Sequence, residues 1–146
     1  MAREYRRLSA SDLEMVLHLN ETYRQDFASP EAARAFLAQP QNWLFACVED
    51  GRILGFCQGY ECARLNGAGG LLYVHELAVL PAYRRRGIGK TMLDMLKILC
   101  RLSGIRRVFL ITQRSNLPAV ALYESARGRP AHTDDLVYVF DDLDVP

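Results

Sequence analysis

The residues with the clearest chemical meaning are Arg84-Arg85-Arg86-Gly87-Ile88-Gly89-Lys90. They fall between an apolar run and a long amphipathic stretch. A helix beginning at Ile88 would leave its first amides unbonded and carry a partial positive charge, which suits a phosphate. Gly87 and Gly89 let the backbone come close to such a ligand, and the arginines add charge. The alternative is a solvated basic turn. The run is not a Walker loop, since Gly-x-x-x-x-Gly-Lys-Ser/Thr is absent, and it lacks the full Gly-x-Gly-x-x-Gly of dinucleotide folds.

Three further residues could handle protons. Glu76 interrupts the apolar run Leu71–Leu80, where a carboxylate is costly unless it is paired or faces a polar cleft. It is a candidate general base, with an ion pair to a neighbouring arginine as the alternative. His75 is the other candidate base, or a structural histidine. Strand alternation sends it to the face opposite Glu76 unless a bulge intervenes. Tyr123, on a short helix, is either a packing ring or an acid, being protonated at neutral pH with an ordinary pKa of about 10. No Cys or Ser is placed as a nucleophile. Cys47, Cys57 and Cys100 sit among apolar residues and read as buried thiols, and the four cysteines show no zinc or redox spacing. No metal site is expected from the three scattered histidines.

The elements that must position these groups follow from periodicity and punctuation. Glu4–Leu8 reads as a strand. Ser11 and Glu14 form a capping box before a helix carrying Leu13, Val16, Leu17 and Tyr23 on one face. Ser29-Pro30-Glu31 starts a second helix, which Pro40 ends. Trp43–Val48 and Ile53–Tyr60 form a hairpin around Asp50-Gly51. Leu71–Leu80 is the fourth strand. Ile88–Ser103 is a long helix with Ile88, Met92, Leu96 and Leu99 on one face, closed by Gly104. Val108–Thr112 is a fifth strand, Pro118–Ser125 a helix, and Leu136–Phe140 a last strand. The order β-α-α-β-β-β-α-β-α-β makes one α+β domain over residues 1–146, with a mixed sheet flanked by helices.

Three of these segments resemble the GNAT superfamily of N-acetyltransferases. Arg84-x-x-Gly87-x-Gly89 is similar to that family's acetyl-coenzyme A pyrophosphate loop. Glu76-Leu77-Ala78-Val79 resembles the end of its fourth strand, where the backbone pairs with the pantetheine arm. Asn116-x-x-Ala119-x-x-Leu122-Tyr123 resembles its late helix. The resemblance implies a GNAT fold and acetyl-CoA as co-substrate. It implies a cofactor site of Leu77, Ala78, Val79, Arg84, Arg85, Arg86, Gly87, Ile88, Gly89, Lys90, Asn116, Ala119 and Tyr123. It also implies that Tyr123 protonates the leaving thiolate. The stretch Tyr60–Tyr123 and the ending Val139-Phe140-Asp141 are similar to the aminoglycoside 3-N-acetyltransferases of the superfamily. That likeness implies an antibiotic-resistance activity. The chain departs from the subfamily pattern after Tyr123, where Glu124-Ser-Ala-Arg-Gly-Arg-Pro130 stands.

Charge and composition narrow the classes. The 146 residues carry a formal net charge of +1 with 50% hydrophobic residues, which speaks against a nucleic-acid binder and for a globular domain. No apolar run is long enough to span a bilayer and no leader-like segment opens the chain, so a cytoplasmic location away from membranes is expected. After Arg129 the cations stop, and Asp134, Asp135, Asp141, Asp142 and Asp144 follow. In the GNAT fold that the resemblance implies, the last strands border the acceptor cleft, so Glu76, Asp141 and Asp142 would draw in a cationic amine. An aminoglycoside is the first expectation. A polyamine or a protein amine as acceptor, or a CoA-binding module without catalysis, are the others. A homodimer is also possible.

Overall fold

The computed structural model describes residues 2–23 and 29–146. Five strands form one sheet in the order β1-β2-β3-β4-β5: β1 Glu4–Arg7, β2 Asn42–Glu49, β3 Arg52–Cys62, β4 Leu71–Val79 and β5 Arg107–Leu110. The first four are antiparallel neighbours. β5 lies parallel to β4 at the sheet's edge, reached by a crossover through the long helix.

The helices cover both faces. α1 (Leu13–Leu17), α2 (Leu19–Thr22) and α3 (Pro30–Ala38) lie on one side, where Val16, Leu19 and Ala33 pack with Leu44, Ala46, Val48, Ile53 and Phe56. α4 (Ile88–Leu102) covers the other, where Ile88, Met92, Leu96 and Cys100 meet Trp43, Phe45, Cys57, Leu72 and Val74. A sheet covered on both faces explains the near-continuous apolar runs of β2 and β3. The cysteines are free, and Cys47, Cys57 and Cys100 are buried as expected. Burial pushes the Cys57 thiol up to about 12 and Cys100 to about 11, so neither is a nucleophile at neutral pH.

Local signals account for most boundaries. Ser29 accepts from the Ala32 amide and Pro30 takes the first turn of α3. Asp50 and Gly51, at φ 52 and 73, make the two-residue turn that suits strand twist. Gly104, at φ 78, ends α4 in a Schellman arrangement, with Ile105 N–H donating to Cys100 O and Gly104 N–H to Arg101 O.

Two expectations fail locally. The reciprocal cap belongs to Ser9 and Asp12, not Ser11 and Glu14: the Ser9 amide donates to Asp12 Oδ2 at 2.9 Å. The Asp12 carboxylate also takes a fork from Arg6, at 3.0 and 3.1 Å, which pins it and shifts the helix start. The helix that follows is two short pieces rather than one. The segment 136–140, expected as a strand, joins no ladder among the described residues, and its side chains are exposed.

Candidate active site

The site grows out of a division between β4 and its neighbours. β4 pairs with β3 as far as Val79, opposite Gly55. It pairs with β5 only from Leu71 to Val74. From His75 onward the two parallel strands part, and the β5-facing edge of β4 has no ladder partner among the described residues. Extended backbone with an open edge is a template for another extended polar chain. Leu77, Ala78 and Val79 lie along this edge, where the sequence placed the pantetheine arm.

The turn of residues 84–87 stands at the far end of that edge and leads into α4. Arg85 and Gly87 both adopt left-handed backbone, at φ 63 and 79, and Gly87 caps α4. The first intrahelical bond runs from Thr91 N–H to Gly87 O. The amides of Ile88, Gly89 and Lys90 therefore point out of the helix end, as an anion nest requires. The cations divide their roles. Arg84 Nε donates to Val79 O at 3.0 Å, tying the nest to the end of β4. Arg86 lies over the Tyr83 ring at 5.5 Å, and Lys90 bonds Asp94 at 2.8 Å.

Gly89 has a different reason from the one its motif position suggested. It is buried, and a Cβ added there would lie 3.1 Å from Leu122 Cδ2. The close approach is that of α4 to α5 (Leu117–Ser125), so a bulky residue at 89 would displace α5 before it filled any phosphate space. Asn116 likewise acts locally, since its Oδ1 accepts from the Ala119 amide at 3.3 Å and caps α5.

A β-bulge settles the relation of His75 to Glu76. Gln58 stands opposite Glu76 and Gly59 opposite Val74, leaving His75 as the extra residue. The alternation expected between the two is thereby broken. The His75 ring sits 5.8 Å from Tyr73 and 6.1 Å from Tyr60, and its Nδ1 is 3.3 Å from Tyr73 Oη. Phe36 of α3 lies 6.0 Å from Tyr60, which puts this group on the α3 face. Glu76 shares that face, because Leu77 packs with the α4 core and Ala78 with the α3 core. Gly59 makes the bulge possible: a Cβ there would come 2.8 Å from Tyr73 O.

Beyond Glu76 lies Tyr23. Burial pushes its phenol up to about 12, with the Arg84 charge lowering it and the Glu76 charge raising it. The carboxylate, the guanidinium and the phenol thus form one electrostatic group where β4 leaves the sheet. Tyr123 approaches from α5. Burial raises its pKa above the ordinary value, with the Cys57 charge adding to the effect, and Cys57 stands opposite Leu77. The phenol is therefore partly buried on the Cys57 side of the sheet and protonated at neutral pH.

Sequence reasoning missed the aromatic wall of Tyr60, Tyr73 and Phe109, in which Tyr73 and Phe109 stack at 5.2 Å. Alternation within β3 and β4 carried that signal, but only the register across the bulge aligns it. Asp141 and Asp142 are not brought to the site. They are exposed, in a segment that joins no strand ladder among the described residues.

The mixed sheet split between β4 and β5, with a glycine-capped helix following β4, agrees with the acetyltransferase class that the motifs resemble. The chain belongs to the Acetyltransferase (GNAT) family, which it matches over residues 12–128. It is 27% identical over 122 residues to a Bacillus subtilis (strain 168) protein provisionally named ribosomal protein bS18-alanine N-acetyltransferase, covering 81% of this chain and 77% of that one. Its fold is similar to an aminoglycoside acetyltransferase from an uncultured soil metagenomic sample, solved with sisomicin. The TM-score is 0.81, with 21% identity and 94% of each chain covered. It is also similar to the aminoglycoside N-acetyltransferase AAC(6')-Iy solved with CoA. There the TM-score is 0.74 and the identity 17%, over 97% of this chain and 95% of that one. The protein is an N-acetyltransferase of this family. Among the described residues, no helix is long and apolar enough to cross a membrane.

Proposed function

We propose that the protein transfers acetyl from acetyl-CoA directly to a primary amine of an aminoglycoside, with position 3-N as the first expectation. The observation that supports the reading is the parting of β4 and β5 after Val74, with the Gly87 turn that starts α4 beyond the end of the exposed β4 edge. The pyrophosphate would rest on the amides of Ile88, Gly89 and Lys90, and the pantetheine on the edge from Leu77 to Val79. Glu76 takes a proton from the acceptor's ammonium, with His75, on the same face, as the alternative base. The free amine attacks the thioester carbonyl. The C–S bond breaks as the amide forms; Tyr123 gives its proton to the departing thiolate, and the proton released by the attacking nitrogen passes through solvent to restore the phenol. Orientation and backbone polarisation of the carbonyl supply the remaining acceleration.

Structural likeness supports the aminoglycoside as acceptor, since two relatives of that name share the fold over nearly the whole chain. A second reading has its own observation. The sequence relative is named for the N-terminal alanine of a ribosomal protein, which makes a peptide α-amine the rival acceptor. Initial rates of thiol release, with acetyl-CoA and a panel of aminoglycosides, polyamines and alanine-initiated peptides, separate the two. Turnover of gentamicin-like compounds, with KM rising as ionic strength rises, is the expected result. Turnover of the peptides alone would sink the aminoglycoside reading and leave the acetyltransferase one standing.

A further inference from the structure

The side chains of Tyr73 and His75 meet on the α3 face of β4. Tyr73 Oη lies 3.3 Å from His75 Nδ1, and the two rings stand edge to face at 5.8 Å. Neither ring is isolated. Tyr73 stacks on Phe109 of β5 at 5.2 Å, with 26° between the ring planes. Tyr60 flanks both, 6.4 Å from Tyr73 and 6.1 Å from His75, and its own Oη accepts from Gln58 Nε2 at 2.9 Å. That leaves His75 Nδ1 as the hydrogen-bond partner of Tyr73 Oη among the described residues.

The sense of that bond follows from the chemistry of the two groups. A phenol and a neutral imidazole can pair in two ways: O–H onto a bare Nδ1, or Nδ1–H onto the phenol oxygen. The phenol is the better acid and the imidazole nitrogen the better base, so the O–H donates. A neutral imidazole holds one proton on its two nitrogens, and a bare Nδ1 puts that proton on Nε2. His75 is exposed, and its Nε2 has no protein partner among the described residues. A nitrogen that already carries its proton cannot take one from a substrate, but it can donate a hydrogen bond to one.

We propose that Tyr73 holds His75 in the Nε2–H tautomer, which makes His75 a hydrogen-bond donor to a neutral oxygen of the acceptor and leaves Glu76 as the base. Glu76 follows His75 across the bulge at Gln58 and Gly59 and shares its face. A carboxylate that takes the ammonium's proton thus stands beside an N–H that reads a lone pair near the amine. The acceptor this pair fits is an amine with a hydroxyl, ether or carbonyl oxygen close by, not a bare alkyl polyamine. Tyr73 is a positioning residue: it acts through His75. The donor role rests on the amine-acetylating function proposed above, whereas the tautomer does not.

Long-range proton–nitrogen correlation spectra of the imidazoles in the full-length protein, without substrate, read the tautomer directly. His75→Gln identifies the His75 signals among those of His18 and His132. In mildly alkaline buffer the wild type should show a bare Nδ1 and a protonated Nε2. Tyr73→Phe removes the hydroxyl and keeps the ring on Phe109, so it should shift His75 to a mixture of tautomers. In initial-rate kinetics Tyr73→Phe should raise KM for an oxygen-bearing amine about 3–10-fold, the scale of one neutral hydrogen bond, and move kcat less. His75→Ala should do the same. His75→Gln supplies an N–H but no base, and should recover most of that loss. KM for a bare polyamine should respond to none of these changes. A protonated Nδ1 with a bare Nε2 in the wild type would overturn the proposal and restore His75 as a base. A tautomer that Tyr73→Phe leaves unmoved would remove Tyr73 from it, and a His75→Gln enzyme as impaired as His75→Ala would overturn the donor role. Absence of turnover with every amine would strike down the proposed function and the donor role together, while the spectra still decide the tautomer.

Discussion

Replacing Gly87 with alanine separates the backbone's role in the anion nest from every side-chain role. Gly87 sits at φ 79 and ψ 5 as the cap of α4, and a Cβ added there meets nothing within 4 Å. The whole cost is therefore conformational, about 1–2 kcal/mol for an L-residue held left-handed. In a domain of this size 1 kcal/mol moves Tm by about 2–4 °C, so the variant should melt roughly 2–8 °C lower. Relaxing that φ swings the Ile88 and Gly89 amides away from the nest. Losing one hydrogen bond to a charged group costs about 1.5–3 kcal/mol, which raises KM for acetyl-CoA by roughly 10–100-fold. KM for the amine should stay put. Gly89→Ala is the control. It gains about 0.8–1 kcal/mol of helix propensity, but its methyl lies 3.1 Å from a Leu122 methyl group. Leu122 must give way, and the net stability change should be small. Melting curves and initial-rate kinetics read both variants. A Gly87→Ala protein with lowered Tm and unchanged acetyl-CoA KM would refute the nest as the pyrophosphate site. An unchanged Tm would refute the strain argument itself.

Other outcomes follow from the same geometry. Tyr123→Phe should lower kcat on the order of 10²-fold with acetyl-CoA affinity unchanged, and full turnover would return the ring to packing. Because burial raises the Tyr123 pKa, the wild-type rate should show no loss of the acid form below about pH 10. Glu76→Gln should cost on the order of 10²-fold near neutral pH and less at alkaline pH, where free amine is abundant. If His75→Ala shows that profile instead, the base is His75. Gly59→Ala forces the Tyr73 carbonyl away from a Cβ that would sit at 2.8 Å. It should destabilise by about 1–3 kcal/mol and slow the amine half of the reaction more than it raises acetyl-CoA KM. Asp12 is held below the usual carboxylate range by the Arg6 fork. Its folded pKa being depressed, its contribution is full above about pH 4 and fades as pH falls through the lower folded value. Asp12→Asn should therefore lose stability at neutral pH and converge with the wild type in acid, as denaturant melts at several pH values would reveal.

The elements that carry the proposed cofactor half of the site were legible in the sequence, and those of the acceptor half much less so. Gly87, the start of α4 and the run Leu71–Val79 are local signals: positive φ, capping and strand pattern each act within a few residues. The bulge at His75 is not local. It depends on Gly59, sixteen residues earlier, accepting the Tyr73 carbonyl, and it is visible only once β3 and β4 are in register. The same holds for the Tyr60–Tyr73 wall. Gly89 was legible as a glycine that matters, but its reason, contact with Leu122, is tertiary. The segment 136–140 has strand-forming residues, but the expected strand is absent among the described residues, because propensity alone supplies no ladder of hydrogen bonds.

This division explains why family membership can be secure while the acceptor stays open to test. The turn at Gly87 and the β4 edge offer main-chain groups, which depend on the path of the backbone more than on side-chain identity, and such a fold is shared at identity near 20%. In the proposed function, acceptor recognition rests instead on side chains: Glu76, His75, Tyr60 and Tyr73. Each can change without disturbing the fold. The departure after Tyr123 adds to this freedom, since Gly128 N–H returns to Tyr123 O at 2.8 Å and sets the direction in which the acidic tail leaves α5. Where that tail lands decides whether Asp141 and Asp142 can meet a cationic acceptor at all. Initial rates with Asp141→Asn read the outcome: a raised KM for a polycationic amine puts the carboxylate at the opening, and an unchanged KM puts it elsewhere.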